Sequence, residues 1–140
     1  MAAATLHLEI VTPEKLAYSA EVESVVIPAV EGEIGVLPQH ITLMTQIKAG
    51  ELVISKGGQK EYLAVGEGFA TVTPTRVNIL TDMAIEWQHI DEGAAEAAIK
   101  RAQDALANKG DLGSEEQAAV QAALSKSLAQ LHVKRRRRGI

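Results

Sequence analysis

The chain has no cysteine, which excludes disulfides, thiolate metal sites and cysteine nucleophiles and is compatible with a reducing compartment. Aromatic side chains are almost as scarce: one Trp, two Tyr and one Phe make up 3% of the 140 residues. Little stacking surface is on offer for bases or sugars, and a core has to be built from Val, Ile, Leu and Ala. No apolar run approaches the roughly 20 residues needed to cross a bilayer. The opening MAAATLHLEIV has neither the basic nor the apolar region of a secretion signal. These absences predict a soluble, unprocessed chain. Basic residues are few outside one stretch, since Lys134 and Arg135 to Arg138 hold five of the fourteen. The formal net charge of −4 therefore describes an acidic body with a basic tip.

What is present suffices for one ordinary domain, or a small domain with an appendage, because 46% of the residues are hydrophobic. From Leu6 to about Thr81, short β-branched stretches recur between Gly and Pro at roughly 8 to 12 residue spacing, the pattern of an all-β sandwich or barrel. Leu6, Leu8 and Ile10 alternate with His7 and Glu9, and Val22 and Val26 are expected on one face. Leu52 to Ser55 and Tyr62 to Val65 flank Gly57-Gly58 as a hairpin, and Phe69 to Thr73 and Arg76 to Thr81 flank Pro74-Thr75. About ten short strands are predicted. After Trp87 the composition turns to Ala, Glu, Lys and Gln, so residues 1–88 are assigned to a β sandwich and 89–140 to a two-helix arm. Asp91 is the expected N-cap of a helix over Glu92 to Lys109, with a stripe of Ala95, Ala98, Ile99, Ala102, Ala105 and Leu106. Ser114, in a capping box with Gln117, opens a second helix whose stripe is Val120, Leu124, Leu128 and Leu131. The short joint predicts an antiparallel hairpin, and burial of mostly Ala predicts that it is weakly held.

No catalytic constellation is legible. His7, His40, His89 and His132 stand singly without metal-ligand spacing, so no metal is expected. No nucleophile elbow, Walker loop or dinucleotide fingerprint is present, and Gly66-Glu67-Gly68 reads as a turn. Glu21, Glu23, Glu31 and Glu33 have the spacing of a solvated strand face. The segment GEIGVLPQHITLMTQIKAG, Gly32 to Gly50, is the most distinctive: Gly32 and Gly35 suit positive φ, and Pro38 fixes φ, which predicts a stiff exposed docking loop. His40 near Glu33 allows a proton-transfer pair, and the favoured reading is a polar contact that shapes or docks the loop. The basic tip has three readings: a solvated tail, a nucleic-acid arm, or a helix end that seeks an acidic protein surface. Its lack of interleaved aromatics and its acidic body weigh against nucleic acid.

Three stretches carry a resemblance over nearly the whole length: the Gly32 to Gly50 segment, GEGFATVTPTRVNILTDMAIEWQHID, and the Ala-rich two-helix tail from Asp91. Together they resemble the epsilon subunit of bacterial-type F-type ATP synthases. The resemblance implies a non-catalytic subunit of the central stalk, coupled to ATP synthesis and proton transport, whose sandwich binds the gamma subunit and rests on the c-ring. Gly32, Glu33, Gly35, Pro38 and His40 match the ring-facing part. The helices are similar to a regulatory arm that inhibits ATP hydrolysis, with Arg101, Lys126, Lys134, Arg135 and Arg136 as candidate contacts to the catalytic beta and alpha subunits. Membrane contact would be indirect, at the cytoplasmic face of the bacterial plasma membrane. Some members bind ATP on the hairpin through Ile/Leu-Asp-x-x-Arg-Ala. Here Ile90 and Asp91 remain but Ala94 stands at the arginine, so no ATP or other cofactor is expected, with Arg101 as the one candidate substitute.

Overall fold

The computed structural model describes residues 4–108, 110 and 112–138. Among these residues, ten strands precede two helices: β1 (Leu6–Val11), β2 (Leu16–Val22), β3 (Ser24–Ala29), β4 (Gly32–Val36), β5 (Leu43–Ile47), β6 (Gly50–Lys56), β7 (Gln59–Val65), β8 (Gly68–Val72), β9 (Arg76–Thr81), β10 (Ala84–Glu86), α1 (Glu92–Ala107) and α2 (Ser114–Arg138). A short 3-10 turn, Trp87–His89, links the two parts. Hydrogen bonding runs β10-β7-β6-β3-β5-β8-β9-β1-β2, with β4 added on β3. β3 pairs with β6 through Ser24 to Val26 and reaches β5 only through Ala29 opposite Ile47, so it joins two half-sheets. At the far seam, the Tyr18 hydroxyl of β2 donates to Glu61 of β7 at 3.4 Å. Burial, and then the Glu61 carboxylate, push that phenol up to about 12.

Period-2 alternation aims Leu6, Leu8, Ile10, Leu52, Ile54, Val77 and Ile79 into the space between the half-sheets, all with no exposed surface. Gly57 and Gly58 have φ of +58° and +78°, the left-handed pair that a two-residue hairpin turn requires. The expected pairing of Val22 with Val26 fails. β2 ends at Val22, β3 starts a new phase at Ser24, and Val25 and Ile27 take the core positions.

Both helices form an antiparallel pair. The Asp91 carboxylate accepts the Ala94 amide at 3.0 Å, a conventional N-cap. α1 ends at Ala107; Lys109 and Asp111 lie outside the described residues. The capping box is not how α2 begins: the Gln117 amide donates to the Gly113 carbonyl, which makes Ser114 the first helical residue. Ala95 and Ala102 of α1 are buried as expected, but α2 buries Leu124, Ser127, Ala129 and Val133 and leaves Leu128 46% exposed. The reason is that α2 has two neighbours. Val120 and Ser127 look toward α1, whereas Val133 packs with Ala64, Met83 and Ile90 on the sandwich.

Candidate docking faces and the basic clasp

The sandwich has two outer faces, and their coverage differs. The outer positions of β6 and β7, Glu51 and Ala64, are covered and buried in a fold where α2 packs on these two strands. Among the described residues the outer face of β5, β8, β9 and β1 has no such cover, and the large apolar residues there are unusually open. Met44 is 71% exposed, Leu80 58% and Phe69 55%, with Phe69 directly opposite Leu80 in the β8–β9 register. Val11 pairs with Leu80 on the next strand, and Leu16 beyond it is also exposed. A shallow groove lined by Val11, Pro13, Gly68 and Leu80 continues this row. Contiguous exposed apolar surface of this kind marks an interaction site.

The other end of the same face is polar. Both ring nitrogens of His7 meet carboxylates, Nδ1 at 2.9 Å from Glu21 and Nε2 at 3.1 Å from Glu9, and Arg76 donates to Glu9 at 2.7 Å. Hydrogen bonds from His7 and then Thr5 hold the Glu21 carboxyl below the usual carboxylate range. An apolar centre with a polar margin is the anatomy of a protein interface.

The distinctive Gly32 segment is in large part a strand and not a loop. Gly32 has φ +130°, but Gly35 is extended within β4 opposite Val26. The left-handed residue is Gln39, φ 71°, whose amide donates to the Pro74 carbonyl at 2.7 Å and ties the 37–42 connection to the β8–β9 turn. Glu33 and His40 are not brought together. Glu33 is exposed on β4, while His40 Nδ1 lies 2.7 Å from the Ile41 carbonyl oxygen. Exposed apolar residues of this connection are Leu37 and Ile41. The sequence reading passed over them and over Phe69 and Leu80; the signal was available, since Phe69 and Leu80 are out of phase with the buried pairs Ala70/Val72 and Val77/Ile79.

The basic tip folds back on its own chain. Lys134 donates to the Trp87 carbonyl at 3.2 Å and sits 5.3 Å from the Trp87 ring centre. Arg135 binds Glu92 at 2.8 Å and also Glu96, and Arg138 binds Glu92. Hydrogen bonding from Arg135, and then the Arg138 charge, hold the Glu92 carboxyl below its ordinary range. Arg136 and Arg137 reach Glu51 on the sandwich. Lys126 stands 3.9 Å from Asp82, and exposed Arg101 has no hydrogen bond or ion pair to any described residue. Of the degenerate nucleotide-motif positions, Ile90 is buried in the apolar cluster under α2, Asp91 caps α1 and Ala94 is exposed. Among the described residues, no three His, Asp or Glu side chains converge to hold a metal, and no helix is long and apolar enough to cross a membrane.

Comparison with known proteins fits this arrangement. Residues 5–87 match the family model for the ATP synthase delta/epsilon chain β-sandwich domain, and residues 88–135 match that for its long α-helix domain. The ATP synthase epsilon chain of Alkalilimnicola ehrlichii is 38% identical over 135 residues, 96% of this chain and 95% of that one. The epsilon chain of Laribacter hongkongensis is 42% identical over 129 residues, 91% of each chain. A chain in the Euglena gracilis mitochondrial ATP synthase assembly of OSCP, F1 and c-ring shares the fold at TM-score 0.74 and 24% identity, covering 94% of this chain and 82% of that one. Two family models in tandem and relatives matched along almost their full length place this chain in the ATP synthase delta/epsilon chain family.

Proposed function

We propose that the open face of β5, β8, β9 and β1 is the surface by which this epsilon-type chain docks on the gamma subunit of the central stalk. The observation that carries it is the row Phe69, Leu80, Val11 and Leu16 across β8, β9, β1 and β2, with exposed Met44 diagonal to Phe69 on β5, on an outer face that α2 does not cover. A rotor subunit stays with its neighbour through every turn, and a durable interface is built around an apolar centre. The 37–42 connection, which includes His40, together with Glu33 on β4, is the part turned to the c-ring. Its Gln39 to Pro74 tie and Pro38 restrict backbone freedom, as torque transmission needs. The chain itself catalyses nothing; ATP synthesis belongs to the complex, and membrane contact is indirect, at the cytoplasmic face of a bacterial plasma membrane.

The helical arm is proposed to regulate ATP hydrolysis by leaving the sandwich for the catalytic beta and alpha subunits, where Arg101, Lys126, Lys134, Arg135 and Arg136 meet acidic side chains. Support comes from the small side chains that α2 buries on the sandwich, Ala129 and Val133, whose burial contributes modestly per residue, as two positions close in free energy require. A basic tip already paired with the chain's own carboxylates argues against nucleic acid as the partner. Nucleotide binding is not part of this reading, because Ala94 lacks a guanidinium.

The docking surface is tested with Phe69→Asp combined with Leu80→Asp, two outward positions that leave the core untouched. The double variant is expected to keep its far-ultraviolet circular dichroism and to lose co-purification with gamma by at least about tenfold, since it places two charges in an apolar interface. Undiminished co-purification would overturn the assignment. Glu33→Ala with His40→Ala should leave gamma binding intact and reduce proton-coupled ATP synthesis.

A further inference from the structure

The tip of α2 is divided between two partners, and the division singles out one carboxylate. Arg135 and Arg138, three residues apart and so on one helical face, turn to Glu92, with Arg135 also bound to Glu96 of α1. Arg137 turns to the sandwich, where its Nε and Nη2 donate to the two oxygens of Glu51 at 2.9 and 2.8 Å. Its guanidinium lies 3.7 Å from the centre of the Tyr62 ring. Arg136 adds a third bond to Glu51 at 3.3 Å. The Glu51 side chain is only 7% exposed, against 12% for Arg137. A carboxylate this enclosed is costly without a cation, and two parallel bonds from one guanidinium with an aromatic ring beside it form a geometry that lysine does not reproduce. Glu51 is in phase with the outward positions of β6, so departure of α2 returns it to water and removes that cost.

We propose that Glu51 is the catch that holds the arm down: it occupies Arg137 and Arg136 as an acidic partner would, and the arm leaves only when competing carboxylates take these guanidiniums. This rests on the two-position reading of the arm. It adds that the folded position is selected by one buried ion pair stacked on Tyr62, and that the same arginines cannot serve the sandwich and a partner together. The Ala and Val contacts of α2 set a weak background, and the Glu51 pair decides the balance.

The chain carries its own reporter. Trp87 is its sole tryptophan, and it packs beside the cluster of Ala64, Met83, Ile90 and Val133 with Lys134 over its ring. Acrylamide quenching of Trp87 fluorescence in the full chain therefore reads arm position. Glu51→Gln and Arg137→Ala are each expected to raise the quenching constant, reflecting a fall of about tenfold in the folded-to-open ratio, the effect of losing one charge-assisted hydrogen bond. Arg137→Lys should restore it only in part. Val133→Asp, which places a charge in the cluster under α2, opens the arm by an independent route. Quenching that rises in Val133→Asp but stays native in Glu51→Gln and Arg137→Ala would show an arm that opens without Glu51 as its catch, and would overturn the proposal. Native quenching in all of them would overturn the two-position reading along with it.

Discussion

Gly35 and Gly68 are indistinguishable by composition, each closing a short glycine-bounded turn signal, yet their surroundings make opposite demands. A Cβ on Gly35 meets nothing within 4 Å, and its backbone is extended. A Cβ on Gly68 would fall 1.8 Å from the Leu80 carbonyl oxygen, inside the β8–β9 ladder. Gly35→Ala is accordingly expected to stabilise the fold by up to about 1 kcal/mol by restricting the unfolded chain. Gly68→Ala should cost about 2 kcal/mol or more, because backbone and not a flexible side chain has to move. Urea midpoints of the two variants check the contrast. At this scale the sequence named the glycines of the Gly57-Gly58 turn correctly, since their φ values follow from local turn chemistry. It misplaced the left-handed residue of the docking segment from Gly35 to Gln39, because the Gln39 conformation is imposed by a hydrogen bond to Pro74, thirty-five positions away.

Among elements, the arm shows how charge completes what packing leaves weak. The α1–α2 contact buries small residues, and its open end is closed by Glu92 with Arg135 and Arg138. The Glu92 carboxyl titrates below its ordinary range in the folded chain. Its contribution is therefore fully present above the unfolded carboxylate range and is lost as pH falls through the lower folded value. Below about pH 4, amide exchange in α1 and the tip of α2 should accelerate ahead of exchange in the sandwich. Glu92→Gln should abolish that pH dependence, and equal acid sensitivity in the variant would assign the loosening elsewhere. Helix existence and the Asp91 cap were legible because they depend on residues within four positions. The α2 stripe was misread at Leu128 because a helix with one neighbour has one apolar stripe, whereas this helix has a partner on each of two sides.

For the whole molecule, a sandwich with one outer face covered by its own arm and the other bare implies that docking and regulation are separable. An ATP synthase catalytic head depleted of this chain, supplied with either the full chain or a version ending at His89, should accept both; only the full chain should slow ATP hydrolysis. Equal rates despite docking would leave coupling without intrinsic inhibition. The succession of short strands and the switch to helix after Trp87 were legible in the sequence alone, because periodicity, turn residues and composition act locally, and the family was legible in the resemblance carried by three stretches. Only the tertiary structure decided that the outward Phe69 and Leu80 stay uncovered: their phase against Ala70, Val72, Val77 and Ile79 turns them out of the core, but which outer face is left open follows from α2 lying on β6 and β7. It also decided where the basic tip goes. Glu51 and Arg137 are eighty-six residues apart, and no local rule brings a carboxylate on a strand to a guanidinium on the last turn of a helix; that meeting follows from α2 lying across β6 and β7.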